Sequence, residues 1–420
     1  MVRVRTGCRA GRVSGRSPGR GAYPRTMDTI DFDPSAPLPG PPEPWASTDT
    51  PSHRDGPPFH MSEMISAEPA IVERIIAAGA VPGSAAAQLA TSVADTIRAG
   101  SPVVVTGCGT SEHGALAVVE IWREATGSHL ITSAQAFELS LDPPSSGLVV
   151  GISHEGSTGA TNAALTASRA AGVLTALITV SGRSPGAALA DIVVETHELD
   201  QSWCHTVGYI SPIAVGAAVA GHLTGMPVPG WLVREVTLTT DAMTAASAIA
   251  DRLRDVDRVL VLGSGADRVA GRELVLKIEE GAWLPAAYRD LETFLHGHLA
   301  ATDERTAVIV IATDRRARDA RMARVRGALA ATRVIGMPTA AIVTAEANAL
   351  LPADLTSAGR IAVDEAPREV PAAVASLLGS APTLQTVTER LAVARGINPD
   401  PIHRDVDRYR LAAEAAEGAS

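Results

Sequence analysis

Short runs of apolar residues alternate along this chain with longer stretches in which apolar side chains recur every three or four positions, from about residue 60 almost to the end. Ile71, Val72, Ile75 and Ile76 mark a first helix, and residues 84–99 predict a second. Residues 103–107 then read as a buried strand, followed by a helix through Ala115, Val118, Val119 and Trp122. Further strands are predicted at 129–132, 147–153, 174–180 and 192–195, with helices between them. After a long helical stretch over 213–254 the succession restarts. A strand at 259–262, a turn at Gly263-Ser-Gly-Ala266 and a helix from Val269 lead to strands at 307–312, 334–336 and 341–343. This alternation predicts an α/β fold of doubly wound parallel sheets flanked by helices. The restart predicts two tandem domains, residues 60–240 and 241–420, the second ending in a C-terminal tail.

Residues 1–59 follow neither rhythm and read as a disordered tail. Residues 1–27 carry seven arginines and no acid, and an acidic, proline-rich stretch follows to Pro58. Met27 reads as the start, with residues 1–26 outside the fold and without the apolar centre of a secretory signal. Composition then narrows the classes of function. With 3% aromatic residues and a net charge of −10 the chain lacks the basic and aromatic surface that nucleic acids need. Its apolar runs, the longest over 209–225 and interrupted by Ser211, Pro212 and His222, fall short of a membrane span. Cys8, Cys108 and Cys204 are widely spaced and match no disulfide or zinc pattern, as suits a cytoplasmic protein. No motif calls for a cofactor, and His296-Gly-His298 without a third ligand is a weak metal pattern.

Three turns and one helix carry the candidate chemistry. Cys108-Gly-Thr-Ser111 and Ser153-His-Glu-Gly-Ser-Thr158 follow predicted strands, where backbone N–H groups and helix N-termini favour anions. Neither is a Walker loop, and Gly263-Ser-Gly265 lacks the third glycine of a dinucleotide fingerprint. Thirty-five of the 36 basic residues are arginine; the single lysine is Lys277. Glu273, Lys277 and Glu280 share one helical face, either as a surface ion-pair ladder or as a general base with its charge-setting partners. An ammonium also differs from guanidinium in being able, when buried, to lose its proton and form a Schiff base.

At these residues the chain resembles the sugar isomerase (SIS) family, in the double-SIS arrangement of the isomerase half of glucosamine-6-phosphate synthase. The likeness runs from about His60 to Arg410 and is carried by Cys108 to Ser111, Ser153 to Thr158, Glu273 to Glu280, His296-Gly297 and Asn398-Pro-Asp400, in the family's order. The resemblance implies a homodimer acting on a phosphorylated sugar or amino sugar. It places the phosphate among Ser111, Ser153, His154 and Thr158, with Cys108, Gly109, Thr110, Glu155 and Ser157 among the further substrate-binding residues. It makes Glu280 the base that moves a proton between C1 and C2 of an open-chain sugar, with Glu273 and Lys277 setting its charge. His296 assists ring opening from the neighbouring subunit, and Trp203 with His205 lines the sugar pocket.

Three departures qualify what the resemblance implies. The synthase's glutaminase domain has no counterpart in the 60 residues before the match, so glutamine hydrolysis is not expected. The family's C-terminal lysine is absent, with Val406 or Arg408 nearest its place. Glu155 replaces a serine that helps to hold phosphate. A carboxylate about 4 Å from a phosphate charge is opposed by about 4 kcal/mol at an effective dielectric of 20. An aminated ligand would reverse that sign. The expected activity is aldose–ketose isomerisation, with amination or deamination by free ammonia as an extension. A ligand-sensing regulator and a fructosamine-phosphate deglycase are the alternatives.

Overall fold

The computed structural model describes residues 32–47, 50–237 and 242–417. Within them ten strands form two five-stranded sheets, and every strand pairing is parallel. The first sheet contains β1 (Val103–Gly107), β2 (Ile131–Gln135), β3 (Leu148–Ile152), β4 (Leu174–Thr179) and β5 (Ile192–Glu195), in the order β2-β1-β3-β4-β5. The second contains β6 (Arg258–Gly263), β7 (Ala286–Asp290), β8 (Thr306–Ala312), β9 (Thr339–Thr344) and β10 (Gly359–Val363), in the order β10-β9-β8-β6-β7. Read from the opposite edge the second order repeats the first, with β6 corresponding to β1 and β8 to β3.

The helices of the first half are α1 (His60–Gly79), α2 (Ala85–Arg98), α3 (Thr110–Thr126), α4 (Ala136–Leu141), α5 (Gly159–Ala170), α6 (Val207–Thr224) and α7 (Gly230–Thr237). Those of the second are α8 (Ala242–Leu253), α9 (Asp267–Ala282), α10 (Leu291–Leu295), α11 (Arg318–Ile335), α12 (Ala345–Ala349), α13 (Ala372–Ala394) and α14 (Asp407–Glu417). Val103 and Val105 face α3 and α6, while Val104 and Val149 face α4 and α5, so both faces of the first sheet are covered. A strand covered on both faces is apolar throughout, as Val-Val-Val at 103–105 is. By length and composition α6 is apolar enough to cross a membrane, but 83% of it is buried inside the protein.

Helix α13 joins the two halves. Its first half, from Ala373 to Ala381, packs into the core of the first domain, and Leu384, Val387 and Leu391 pack into that of the second. The C-terminal segment returns to the start of the fold as well. Asp400 accepts hydrogen bonds from the His60 and Met61 N–H groups, both at 2.9 Å, so it caps α1 from 340 residues away. Its own N–H is held by Asn398 Oδ1 at 2.9 Å.

Several expectations are corrected. Residues 334–336 form the last turn of α11 and its Gly336 cap, which has φ 86°, rather than a strand. Strands β7 and β10 had no prediction, and the single helical stretch expected over 213–254 is divided among α6, α7 and α8. The tail expected to be disordered over 1–59 is mostly exposed where it is described, but it is tied to the fold at several points. Leu38 is buried and its N–H meets Glu198 Oε2 at 2.9 Å, while Arg54 makes a two-pronged pair with Glu63 at 2.8 and 2.9 Å. The expected start at Met27, the arginine-rich stretch before it and the boundary at 240/241 fall outside the described residues.

Asp400→Ala should lower the stability of the whole protein by about 1–2 kcal/mol, the usual cost of an uncapped helix N-terminus. Urea unfolding with an unchanged m-value would read that loss. A midpoint equal to that of the parent would mean that water replaces the cap.

Candidate active site

Strands β1 and β3 are neighbours, and the connections from them run to opposite sides of the sheet, so the turns after them flank its topological switch point. Both hydroxyl-rich turns are there. Cys108 to Ser111 leads into α3, and Ser153 to Thr158 leads into α5. Ser153 is buried and shares a 3.0 Å hydrogen bond with Thr158, whereas Ser157 and Thr158 are exposed at the start of α5. Cys108 Sγ lies 3.9 Å from the Thr161 hydroxyl, and burial raises its thiol above the ordinary range.

His154 accepts the Asp200 N–H at Nε2, at 3.0 Å, which leaves its proton on Nδ1. Burial and the neighbouring His205 push it down to about 4. At neutral pH the turn after β3 therefore offers an uncharged imidazole. His205 packs edge-on against His154 with ring centroids 5.4 Å apart, and its Nδ1 is 3.5 Å from Asp200 Oδ2. Burial opposes the charge on Asp200. The contact with His205 and hydrogen bonds from the Ser202, Thr206 and Gly208 N–H groups nevertheless bring it to about 2. Burial also opposes protonation of His205, and Asp200 outweighs it, leaving His205 raised. The two histidines thus connect the turn 153–158 to the segment Trp203–His205 through Asp200, whose backbone N–H meets His154 and whose buried carboxylate faces His205.

Helix α9 approaches from the other domain. Glu273 and Lys277 are fully buried, and the side chain of Glu280 is 25% exposed. Lys277 Nζ donates to Glu280 Oε2 at 2.6 Å and lies 3.7 Å from Glu273 Oε1. Glu273 in turn receives the His113 Nδ1–H at 2.7 Å and the Thr110 hydroxyl at 3.4 Å, both from the first turn of α3. Burial opposes the charges of Lys277 and Glu273, and their mutual attraction prevails. Lys277 is held far above the lysine range, with Glu280 the larger of its two carboxylate partners. Glu273 lies below the ordinary carboxylate range, held by Lys277 and His113. An ammonium so held keeps its proton more firmly than a free lysine, which disfavours a Schiff base. Of the three groups, Glu280 is the one a ligand can reach, and Lys277 engages only one of its oxygens.

The segment Trp203–His205 closes on the end of this helix. A Cβ added at Gly281 would sit 3.3 Å from Cys204 Sγ, 3.4 Å from Pro399 and 3.0 Å from Thr388, so these elements approach the helix closely there. Trp203 is bonded through its N–H to the Asp400 carbonyl at 3.0 Å, and the Arg404 guanidinium lies 5.2 Å from its ring centre. The structure therefore brings together Cys108 to Ser111, Ser153, His154, Trp203, His205, Glu273, Lys277 and Glu280. His296 stands apart. Its side chain is 73% exposed at the end of α10, 2.9 Å from Glu292, and no hydrogen bond or ion pair joins it to Glu280 among the described residues.

Sequence reasoning missed His113 and Asp200. His113 lies three residues beyond Thr110 and so shares its helical face, a spacing that was available; Asp200 had no local signal. A cavity of about 600 Å³ between residues 37–40, α1, α2, β5 and α6 contains none of this chemistry.

Residues 252–348 match the family model described as SIS domain. The glutamine–fructose-6-phosphate aminotransferase (isomerizing) of Zymomonas mobilis is 29% identical over 229 residues, which is 50% of this chain and 37% of that protein. Among solved structures, the C-terminal domain of glucosamine-fructose-6-phosphate aminotransferase from Francisella tularensis superposes with a TM-score of 0.68. It is 17% identical and covers 82% of this chain and 98% of its own. Tagatose-6-phosphate ketose/aldose isomerase from Escherichia coli gives a TM-score of 0.64 at 18% identity, over 84% and 97%. The chain has the fold of two tandem SIS domains.

Two outcomes follow from these charges. Lys277→Met should destabilise the protein by about 3–5 kcal/mol, because it leaves Glu273 buried without its ammonium. A chemical denaturation curve unchanged by the substitution would contradict the buried ladder.

The second outcome is a pH dependence. His154 binds its proton near pH 4 when folded and near 6.5 when unfolded, so stability should fall as pH drops through that window. Asp200 continues the loss between 3.8 and about 2. The contribution of His205, whose value is raised, is complete below 6.5 and disappears only as pH rises through its folded value. Urea midpoints measured across pH 4–6.5 should flatten in His154→Gln, recovering roughly 2–3 kcal/mol at the acid end.

Proposed function

We propose that this chain is a sugar-phosphate enzyme that interconverts aldose and ketose forms, with Glu280 as the proton-transferring base. The observation that carries the reading is the accessibility pattern along α9. Two groups of the charge ladder are sealed and mutually neutralised, and the third, a carboxylate, remains partly exposed. In this reading the substrate phosphate lies at the turns 108–111 and 153–158. Backbone N–H groups, hydroxyls and the N-terminus of α5 hold it without a cationic side chain from those turns.

The reaction follows from that placement. Glu280 removes the C2 proton of the open-chain aldose, leaving an enediolate, and the proton on O2 passes to O1. The same carboxyl group returns the proton to C1, giving the ketose with no net change in protons. Lys277 fixes the orientation of Glu280 through Oε2 and leaves the other oxygen for the transfer. Glu273 and His113 fix Lys277 in turn, which makes them positioning residues rather than reacting groups. The exposed His296 reads as a group offered to a second copy of the chain, where it would assist ring opening, so the working unit is a homodimer. The sequence likeness to an aminotransferase supports amination or deamination of the hexose phosphate with free ammonia as an extension of this chemistry.

Glu155 bears on the ligand class. It neighbours His154 in the phosphate turn, and its charge acts on that imidazole. A ligand bearing an amine close to its phosphate would reconcile this carboxylate with the anion site.

Glu280→Gln should retain ligand binding and lower turnover by at least roughly 10². A thermal-shift screen of the parent and Glu280→Gln with hexose phosphates, hexosamine phosphates and their unphosphorylated forms, followed by turnover of whatever binds, tests the assignment. Stabilisation by phosphorylated sugars without turnover in either protein would indicate a sensor. No stabilisation by any of them would refute the sugar-phosphate reading. In the same assay Glu155→Ser should tighten plain hexose 6-phosphates about 10-fold or more, and aminated ligands should weaken. Equal affinities before and after the change would place that carboxylate outside the pocket.

A further inference from the structure

The two sheets repeat one strand order, so the counterpart of the proposed phosphate site can be located in the second domain. It lies between the turn after β6, residues 264–266, and the turn after β8, residues 313–317. In the first domain the corresponding position is where a ligand phosphate is proposed to sit. In the second it already contains an anion.

The side chain of Asp314 is fully buried, and its carboxylate is surrounded as a bound oxyanion would be. The Ala266 N–H, at the N-terminus of the 16-residue helix α9, donates to Oδ2 at 2.9 Å. Arg316 donates to both oxygens, at 2.7–3.1 Å, and Arg321 donates to Oδ2 at 3.1 Å. Arg316 also gives its backbone N–H to Oδ1 at 2.9 Å. Burial opposes the charge, but these donors hold Asp314 below the ordinary carboxylate range. Gly265, with φ +68°, is required by the fit, since a Cβ there would lie 2.3 Å from Asp314 Oδ2 and 1.5 Å from Arg321 Nη1. Beside the carboxylate a cavity of only about 10 Å³ remains, at the lower limit for one water and far too small for a phosphate.

The turn itself is fixed from beneath. Asp267, the first residue of α9, accepts the Thr313 and Asp314 N–H groups at 3.0–3.1 Å and the Ser376 hydroxyl of α13 at 3.0 Å. Arg316 extends outward from the same carboxylate, reaching Glu120 at 3.4 Å and Glu124 at 3.8 Å on α3. Glu124 caps α13 through the Ala372 and Ala373 N–H groups, at 2.8 and 2.6 Å. The filled cradle thus braces α3, whose opposite end presents the Cys108–Ser111 turn.

We infer that Asp314 is the resident anion of the second domain's ligand cradle: its side chain takes the place of an external oxyanion, closes that site and orients Arg316 as a strut between the domains. On this inference the described residues offer the proposed oxyanion site of the first domain as open, and its counterpart in the second admits small oxyanions only when Asp314 is removed. This goes beyond the proposed sugar chemistry, and its test reads stability rather than turnover, so the two can fail separately.

The test compares the full-length parent with Asp314→Ala and Asp314→Asn, using formate as the probe because it is the carboxylate group that alanine removes. Asp314→Ala should melt about 5 °C or more below the parent, since two guanidinium groups lose their buried partner. Formate should raise its melting temperature by several degrees more than it raises the parent's. Sulfate should act likewise if the emptied cradle accepts a tetrahedral anion; the formate arm decides the inference. Equal formate shifts in the two proteins would overturn it. Should Asp314→Ala not fold, Asp314→Asn decides, because it retains shape and removes charge. A melting temperature equal to the parent's would overturn the role of the charge, and one lowered by several degrees would support it.

Discussion

The organisation of this protein depends on a lysine ammonium buried with no exposure between two carboxylates. Removing Lys277 and Glu273 from water carries a penalty of several kcal/mol for each ion, which only close and well-oriented partners offset. Glu280 is one partner and lies on the same helix. Glu273 is the other, and it is completed by His113 and Thr110 from α3, in the opposite domain. The charge ladder is therefore satisfied only when the domains are docked, and docking brings the Cys108–Ser111 turn to the helix that carries the proposed base. The electrostatic requirement of one buried cation and the assembly of the cleft are the same requirement.

The remaining polar contacts between distant segments act in the same manner. Asp200 joins His154 of the turn 153–158 to His205, Asp400 ties the C-terminal segment to the start of α1, and Glu124 receives the start of α13. In each case a carboxylate accepts backbone N–H groups that would otherwise be unpaired in a buried setting, so removing it leaves the donors unsatisfied. Such contacts add little net stability individually, but each fixes one element against another to within a hydrogen-bond length. A cleft assembled from both domains needs that precision. The duplicated fold meets it asymmetrically, with hydroxyls and an uncharged imidazole at one switch point and a carboxylate with two arginines at the other.

Much of the fold was legible along the chain. Central strands such as β1, β3, β6 and β8 are covered on both faces, so their sequences are unbroken apolar runs that periodicity detects directly. Strands β7 and β10 escaped because they are edge strands with one neighbour each, and Ala-Ala-Tyr-Arg-Asp and Gly-Arg-Ile-Ala-Val contain the polar residues that edges tolerate. Val334 and Ile335 resembled a strand because two apolar residues before a glycine fit either a short strand or a capped helix end. The continuous helix before them and the left-handed Gly336 decide for the helix.

The active-site reading divides along the same line. The sequence by itself determined the alternation of strands and helices, the two hydroxyl-rich turns and the common face of Glu273, Lys277 and Glu280, because each depends on residues within one or two turns of each other. It could not distinguish a solvated ion-pair ladder from a sealed one, since burial is decided by what packs on a helix from elsewhere. Tertiary structure alone brought His113 to Glu273, Asp200 between two histidines and Asp314 into the second cradle. The separations in the chain run from 46 to 160 residues for the first two, and across such distances local pattern carries no information about which charge meets which. Charges meet where the packing of the sheets and helices places them, and the low dielectric of that interior gives each meeting its effect.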